Sequence, residues 1–193
     1  MEKVTYAIKC AKCVQGWMKE RELQWLCERA QEMPTGAHWA ELGSWKGRSL
    51  IATGICLPES STLYAVEHCD GNAGKEQTTH FEARFCGWIR GHLTLASSLI
   101  AQENPTVDVE PILMKTSEAA LHVPDRSLDC VFIDADHTYK GCKEDIQNWL
   151  PKLKHRGLLC GHDFGHAGVE KAVKEMLPGF GRGFGSIWYW ENV

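Results

Sequence analysis

Ala37-His38-Trp39-Ala40-Glu41-Leu42-Gly43-Ser44-Trp45-Lys46-Gly47-Arg48-Ser49 is the stretch that decides the fold. A short run, alternating after Trp39, ends in an acid and a glycine. A second glycine follows four residues on, and then Ser49 and the apolar Leu50-Ile51-Ala52. This pattern predicts a strand, a tight turn and the start of a helix. Glycines at such a turn let a ligand approach the backbone, and the first turn of a helix offers unpaired N–H groups. A second acid strengthens the reading. Leu63-Tyr64-Ala65-Val66 is an apolar strand ending in Glu67, 20 residues past Gly47. A carboxylate at that distance, at the end of the second strand, suits a ribose diol.

Outward from this core the chain alternates. Helical spacing of Trp17, Leu23, Leu26, Cys27 and Ala30 predicts a helix over 16–33, ended by Pro34 and Gly36. Further strands are predicted over 37–42, 62–67, 110–115, 128–133, 157–161 and 186–190. Helices are predicted over 47–57, 139–150 and 168–177, with a short one ending at Leu121. Apolar residues recur helically from Thr79 to Gln102, and Gly87 and Gly91 suggest two helical pieces there. The glycines from Gly179 to Gly185 make a terminal hairpin. Alternating strands and helices predict an α/β protein with a doubly wound, mostly parallel sheet. Ligands of such sheets bind beyond the carboxyl ends of the strands, near the switch in strand order. Four predicted strands end at Glu41, Glu67, Asp134 and His162-Asp163.

Composition sets the outer bounds. At 193 residues one domain over 1–193 is expected, with 1–36 as an N-terminal helical segment and 69–92 as a lid. The net charge of −4 and the lack of a basic run speak against nucleic acid as a partner. No apolar run approaches the length of a membrane span. The N-terminus lacks a signal-peptide pattern, so a cytoplasmic location is expected, with the nine cysteines as free thiols. Cys10-Ala11-Lys12-Cys13 has neither a second pair at zinc spacing nor a preceding strand, and reads as incidental thiols.

Three blocks carry a resemblance to a known family. They are Glu41-Leu42-Gly43-Ser44-Trp45-Lys46-Gly47-Arg48-Ser49, then Val131-Phe132-Ile133-Asp134-Ala135-Asp136-His137-Thr138-Tyr139-Lys140-Gly141, then Gly157-Leu158-Leu159-Cys160-Gly161-His162-Asp163-Phe164. In this order they resemble class I S-adenosylmethionine-dependent methyltransferases. The subgroup includes the sugar and macrolide O-methyltransferases and the cephalosporin hydroxylase-like proteins. The resemblance implies a Rossmann-like, seven-stranded methyltransferase sheet with an antiparallel final strand. It implies that Gly43, Ser44, Gly47 and Ser49 line the methionine part of S-adenosyl-L-methionine, with Glu41 and Asp134 near it. Glu67 would hold the ribose hydroxyls and Ser117 would lie near the adenine. Trp45 departs from the pattern, since many members carry a glycine there.

The chemistry of methyl transfer to a hydroxyl sharpens this. The reactants must be aligned, the hydroxyl must lose a proton, and water must be kept out. Asp134 lies at one predicted strand end, and His162 and Asp163 lie 28 and 29 residues later at the next. Neighbouring parallel strands run roughly 4.8 Å apart, so these side chains can converge on one divalent metal, Mg²⁺ or Mn²⁺. The plain alternative has both aspartates capping helices or touching substrate. Two bases compete. Asp136 matches the family's proposed base and stands slightly ahead, whereas His137 titrates closer to neutrality. His166 reads as a loop histidine. Phe81, Phe85, Trp88 and Ile89 read as a packing stripe or as a cover for the acceptor, and Trp17 in the N-terminal helix has the same two readings.

The expected function is therefore metal-assisted O-methylation of a small molecule, a sugar or a natural-product scaffold, with monomer and homo-oligomer both open. Two rivals stand beside it. Asp134 or Asp136 with His137 and His162 can form a 2-His-1-carboxylate iron site for an oxygenase. The chain can also be a binding module that keeps S-adenosylmethionine without turnover.

Overall fold

Trp39, Leu63, Cys130, Phe132 and Cys160 pack to one face of a sheet, and Ala40, Leu42, Val66, Val131 and Ile133 to the other. This is the pattern of a sheet covered on both sides. The computed structural model of the chain describes residues 2–68 and 86–192. Its elements run α1 Glu2–Ala11, α2 Glu20–Gln31, β1 His38–Leu42, α3 Arg48–Cys56, β2 Thr62–Val66, α4 Cys86–Glu103, β3 Asp108–Ile112 and α5 Thr116–Ala119. They continue with β4 Leu128–Ile133, α6 Tyr139–Trp149, β5 Leu153–Gly161, α7 Ala167–Met176, β6 Gly181–Arg182 and β7 Trp188–Glu191. The sheet order is β3-β2-β1-β4-β5-β7-β6. Strands β1 to β5 pair in parallel, and β7 runs antiparallel to both β5 and β6. The expected seven-stranded, doubly wound sheet with a terminal antiparallel strand is what forms.

One apolar layer joins the sheet to α1, α2, α3 and α4 through Ile8, Leu26, Ile51 and Leu93. The other joins it to α5, α6 and α7 through Ala119, Ile146, Trp149 and Val173. The strand order reverses between β1 and β4, so the crevice above their carboxyl ends is the natural ligand site.

Several boundaries differ from the sequence reading. The helix predicted over 16–33 starts later, at Glu20, and a separate helix α1 precedes it. Glu22 Oε2 accepts the Lys19 N–H at 2.7 Å, which closes the first turn of α2 at that point. Residues 12–19 instead cross the start of α3. There the Arg48 guanidinium donates to the carbonyls of Val14 (2.7 Å), Gly16 (2.7 Å) and Met18 (3.3 Å). Trp17 thus lies in a connection and not in a helix. Within the described residues α4 is one helix, because Gly87 and Gly91 face open space while Ile89, Leu93, Ala96 and Ile100 bury a stripe. Strand β3 begins two residues before the predicted start and tolerates Pro111 because it is an edge strand. Strand β5 begins earlier as well, since Leu153 already pairs with Leu128 ahead of an irregularity in register.

Asn104, just past α4, closes the end of α3. Its buried amide donates to the carbonyls of Gly54 (3.1 Å), Ile55 (3.2 Å) and Leu57 (3.0 Å). Asn104→Ala strands these acceptors and is expected to cost about 2 kcal/mol, read as a lower urea midpoint at unchanged m-value.

Candidate functional site

The carboxyl ends of β1, β2, β4 and β5 open into a cleft of about 550 Å³. That volume suits a small molecule. One wall is the β1–α3 turn. Gly43 (φ +87) and Gly47 (φ +83) take left-handed backbone there, and so does Trp45 (φ +42), which fills the position where the family pattern has glycine. Gly43 has no space for a side chain: a Cβ would lie 2.2 Å from the Asp134 carbonyl oxygen. The bare α-carbon of Gly43 thus lets the β1 turn press against the end of β4.

Glu67 stands at the end of β2, nearly buried, with Oε2 accepting the Trp45 N–H at 2.8 Å and Oε1 3.1 Å from His68 Nδ1. Ser44, Ser49, Glu67, Ser117 and Asp134 all line the cleft, as do Gly43 and Lys115. Glu41 and Gly47 do not line it, although both were expected at the cofactor. Glu41 lies wholly buried behind the wall, where Oε1 accepts the Ser49 hydroxyl at 3.0 Å and Oε2 has no hydrogen-bond partner. Burial pushes its carboxyl up to about 8, helped by the charges of Asp134 and Glu67. Gly47 supports the wall from behind, because a Cβ there would meet Ala96 of α4 at 2.8 Å.

At the other end Asp134, His162 and Asp163 offer ligand atoms that lie within 4.8 Å of one another. His162 Nδ1 is 3.3 Å from Asp163 Oδ2 and 3.7 Å from Asp134 Oδ1. His137 joins them, with Nε2 3.0 Å from Asp163 Oδ2 and 3.7 Å from Asp134 Oδ1. Asp163 holds φ +58, a left-handed conformation that Asp accepts better than most residues. Burial alone would push both imidazoles down. The two carboxylates reverse that and hold His137 at about 10 and His162 at about 11. Burial would raise Asp163, but His137 and His162 bring it well below the usual carboxylate range. The contacts therefore favour the charged forms of His137, His162 and Asp163. His166 Nε2 lies 3.7 Å from Asp163 Oδ1, so the residue read as a loop histidine also faces the cluster.

Asp136, the base favoured from the motif, is placed differently. Its Oδ1 accepts the Thr138 N–H at 2.8 Å, and its carboxyl packs where a Cβ on Gly141 would sit. It lies on the α6 side of the cleft. The cap of α6 is Thr138, whose hydroxyl accepts the Gly141 N–H at 3.1 Å, so His137 is free of a capping role. Also on that side is Asp145, pushed up to about 7 by burial, with the Thr116 hydroxyl opposing the shift.

The sequence left Trp17 open between packing and a cover for the acceptor, and it did not point to Arg48 or Glu22. Arg48 lines the cleft while it ties down residues 14–18. Trp17 stacks on Trp45 with ring centroids 4.3 Å apart and remains 57% exposed at the mouth. Glu22 of α2 reaches the far side of His162, its Oε1 lying 3.4 Å from Nε2. Of the stripe expected to cover the acceptor, Ile89 is core, and Trp88 sits edge-on to His92 with the Lys46 ammonium over its ring. Phe81, Phe85 and residues 69–85 as a whole lie outside the described residues.

The comparisons with known proteins fit this arrangement. The methyltransferase domain family matches residues 40–164, which run from the glycine turn through the Asp134–Asp163 cluster. The chain belongs to this family. Among curated proteins, an uncharacterized protein of Sinorhizobium fredii is 32% identical over 96 residues, which are 49% of this chain. The match spans only about a tenth of that relative's length, 9%.

Solved structures share the fold. The Bacillus cereus O-methyltransferase in complex with S-adenosylhomocysteine aligns with a TM-score of 0.59 at 15% identity, over 97% of this chain and 88% of that one. TomG of Streptomyces achromogenes, an O-methyltransferase of tomaymycin synthesis in complex with S-adenosylmethionine, aligns at 0.59 and 14%, over 100% and 91%. The O-methyltransferase NovP aligns at 0.62 and 15%, over 90% and 80%. At these identities the likeness is one of fold. No helix among the described residues of this methyltransferase-family chain is long and apolar enough to cross a membrane.

Proposed function

We propose that this chain is an S-adenosylmethionine-dependent O-methyltransferase acting on a hydroxyl of a small molecule, with a divalent cation held by Asp134, His162 and Asp163. One observation carries the reading. The glycine turn with Glu67, which suits a nucleoside and its methionine arm, opens into the same cleft as the Asp134–His162–Asp163 cluster. The donor set fits a cation. Two carboxylates and an imidazole suit Mg²⁺ or Mn²⁺, and the buried Nε2 of His137 makes no hydrogen bond although it faces both carboxylates. When bound, the sulfonium supplies the methyl group and the cation lowers the pKa of the acceptor hydroxyl.

The chain's own residues do the rest. Glu67 would accept hydrogen bonds from the ribose hydroxyls, in an orientation fixed by the Trp45 N–H. Ser117 and Lys115 would flank the adenine end, and Trp17 with Trp45 would shield the mouth from water. His137 is the better placed of the two bases. Its Nε2 faces the oxygens that would hold the cation, whereas Asp136 is engaged at the start of α6. The carboxylates that now keep a proton on His137 would be neutralised by a cation, which frees Nε2 to take the hydroxyl proton.

The test is methyl transfer from labelled S-adenosylmethionine to a panel of sugar and phenolic acceptors. Activity should vanish in a chelator and return with Mg²⁺ or Mn²⁺ without oxygen. A requirement for Fe²⁺ and oxygen would instead establish the oxygenase, whose 2-His-1-carboxylate set would be His137 and His162 with Asp134 or Asp136. Within that assay His137→Gln should lower kcat by about 10²-fold and Asp136→Asn by much less, since general-base catalysis contributes about 10²–10⁴. The opposite order would return the base to Asp136. Glu67→Ala should weaken S-adenosylmethionine by about 1.5–3 kcal/mol in calorimetry, the worth of charged hydrogen bonds to the diol.

A further inference from the structure

His162 has two ring nitrogens and two acidic neighbours of different kinds. Nδ1 faces the cleft, toward Asp163 at 3.3 Å and Asp134 at 3.7 Å. Nε2 faces away from it, 3.4 Å from Glu22 Oε1, an electrostatic contact and not a hydrogen bond, with no other partner among the described residues for this buried nitrogen. Glu22 is only 4% exposed and comes from α2, far from the strand ends that build the cluster. Its carboxylate is fixed on every side. Oε2 accepts the Lys19 N–H at 2.7 Å, and Oε1 accepts the Ser186 N–H at 2.9 Å and the Ser186 hydroxyl at 3.1 Å. Gly185 lies so close that a Cβ there would overlap Oε1, so the β6–β7 turn is shaped around this oxygen. A buried carboxylate needs such donors. Nothing in capping a helix requires it also to lie beside the imidazole of a cluster residue.

We propose that Glu22 is a positioning residue for the metal cluster: it holds the His162 proton on Nε2 and thereby presents the Nδ1 lone pair to the cation. This deepens the metal reading above and rests on it. A ligating histidine commonly turns its second ring nitrogen toward a carboxylate, which fixes the tautomer and ring orientation and raises the basicity of the ligand. Here the carboxylate belongs to the N-terminal helical segment, and the hairpin residue Ser186 holds it in place. The cluster is therefore completed by parts of the chain outside the strand ends. His137 has no such partner among the contacts described for its ring, which face Asp134, Asp163 and His166. That contrast makes His162 the fixed ligand and leaves His137 for proton transfer.

The experiment uses the full chain and needs no acceptor. Mn²⁺ binding is measured by calorimetry for the wild type, Asp163→Ala and Glu22→Gln. In Glu22→Gln the amide oxygen can still accept from Ser186, but the charge is gone. Wild-type binding that is lost in Asp163→Ala and weakened about 10- to 100-fold in Glu22→Gln is the expected result. Equal Mn²⁺ affinity in Glu22→Gln and wild type, with Asp163→Ala still inactive in binding, overturns the role of Glu22 and leaves the metal site standing. Absence of Mn²⁺ binding in the wild type overturns both.

A second measurement needs no variant and separates positioning from mere stability. In the ¹⁵N-labelled, Zn²⁺-loaded wild type, the His162 ring should carry its proton on Nε2 and the metal on Nδ1. The reverse assignment sinks the proposal whatever the variants do.

Discussion

Asp163→Ala is expected to lower kcat/KM for methyl transfer by about 10³-fold, close to 4 kcal/mol of transition-state stabilisation, and to abolish the response to Mg²⁺. Asp163 is the carboxylate that His137, His162 and His166 all face, at 3.0, 3.3 and 3.7 Å. Its removal leaves Asp134 as the one carboxylate of the proposed ligand set, too little for a hard divalent cation. S-adenosylmethionine affinity should stay within a few-fold, because the glycine turn and Glu67 lie on β1 and β2. The fold should weaken too. Both imidazoles are held up in the folded state, to about 10 and 11, so their stabilisation is full at acidic pH and fades as pH rises through those values. At neutral pH part of it is lost with Asp163. Alanine at φ +58 adds about 1 kcal/mol of strain. A thermal melt beside the assay separates these costs from the catalytic one. Undiminished turnover in the variant would return Asp163 to a structural role.

The largest structural effect is expected at Gly43. Gly43→Ala sets a methyl group 2.2 Å from the Asp134 carbonyl oxygen and 2.8 Å from the Ala135 α-carbon, both of them backbone. The obstacle cannot rotate away, so β1 and β4 must part at the point where Asp134 N–H donates to the Leu42 carbonyl at 2.9 Å. With the left-handed φ added, a loss of about 3–5 kcal/mol is expected, together with loss of measurable S-adenosylmethionine binding. Gly91→Ala is the counter-case. It lies inside α4 with open space around it, so the same change should stabilise the protein by about 0.5–1 kcal/mol. Urea titration of the two variants should therefore move the midpoint in opposite directions.

The parts of the site legible in the sequence are those that strand periodicity fixes. Gly43, Glu67, Asp134 and His162-Asp163 each follow an apolar strand. Once the strands lie parallel and adjacent, their carboxyl ends must meet. Glu22 was hidden for a physical reason: an acid in the first turn of a helix already has an explanation as a cap. Its second duty depends on Ser186 and His162, which no local spacing connects to it. The signal for α1 was present in the spacing of Val4, Ala7, Ile8 and Ala11, all buried. The break between α1 and α2 was not, because it depends on the Arg48 side chain occupying the backbone of residues 14–18. Choosing between Asp136 and His137 likewise required side-chain directions that a three-residue spacing cannot supply.

The bond between Glu22 and Ser186 closes a loop of 164 residues. A ribosome makes Glu22 early and Ser186 near the end of this sequence. Until Ser186 is made, the carboxylate of Glu22 therefore lacks two of its donors. Strands β1 to β4, with the Gly43 turn and Glu67, precede it in the chain. On the proposed reading, the nascent protein gains the end of the cleft meant for a methyl donor before the cluster meant for the cation is complete.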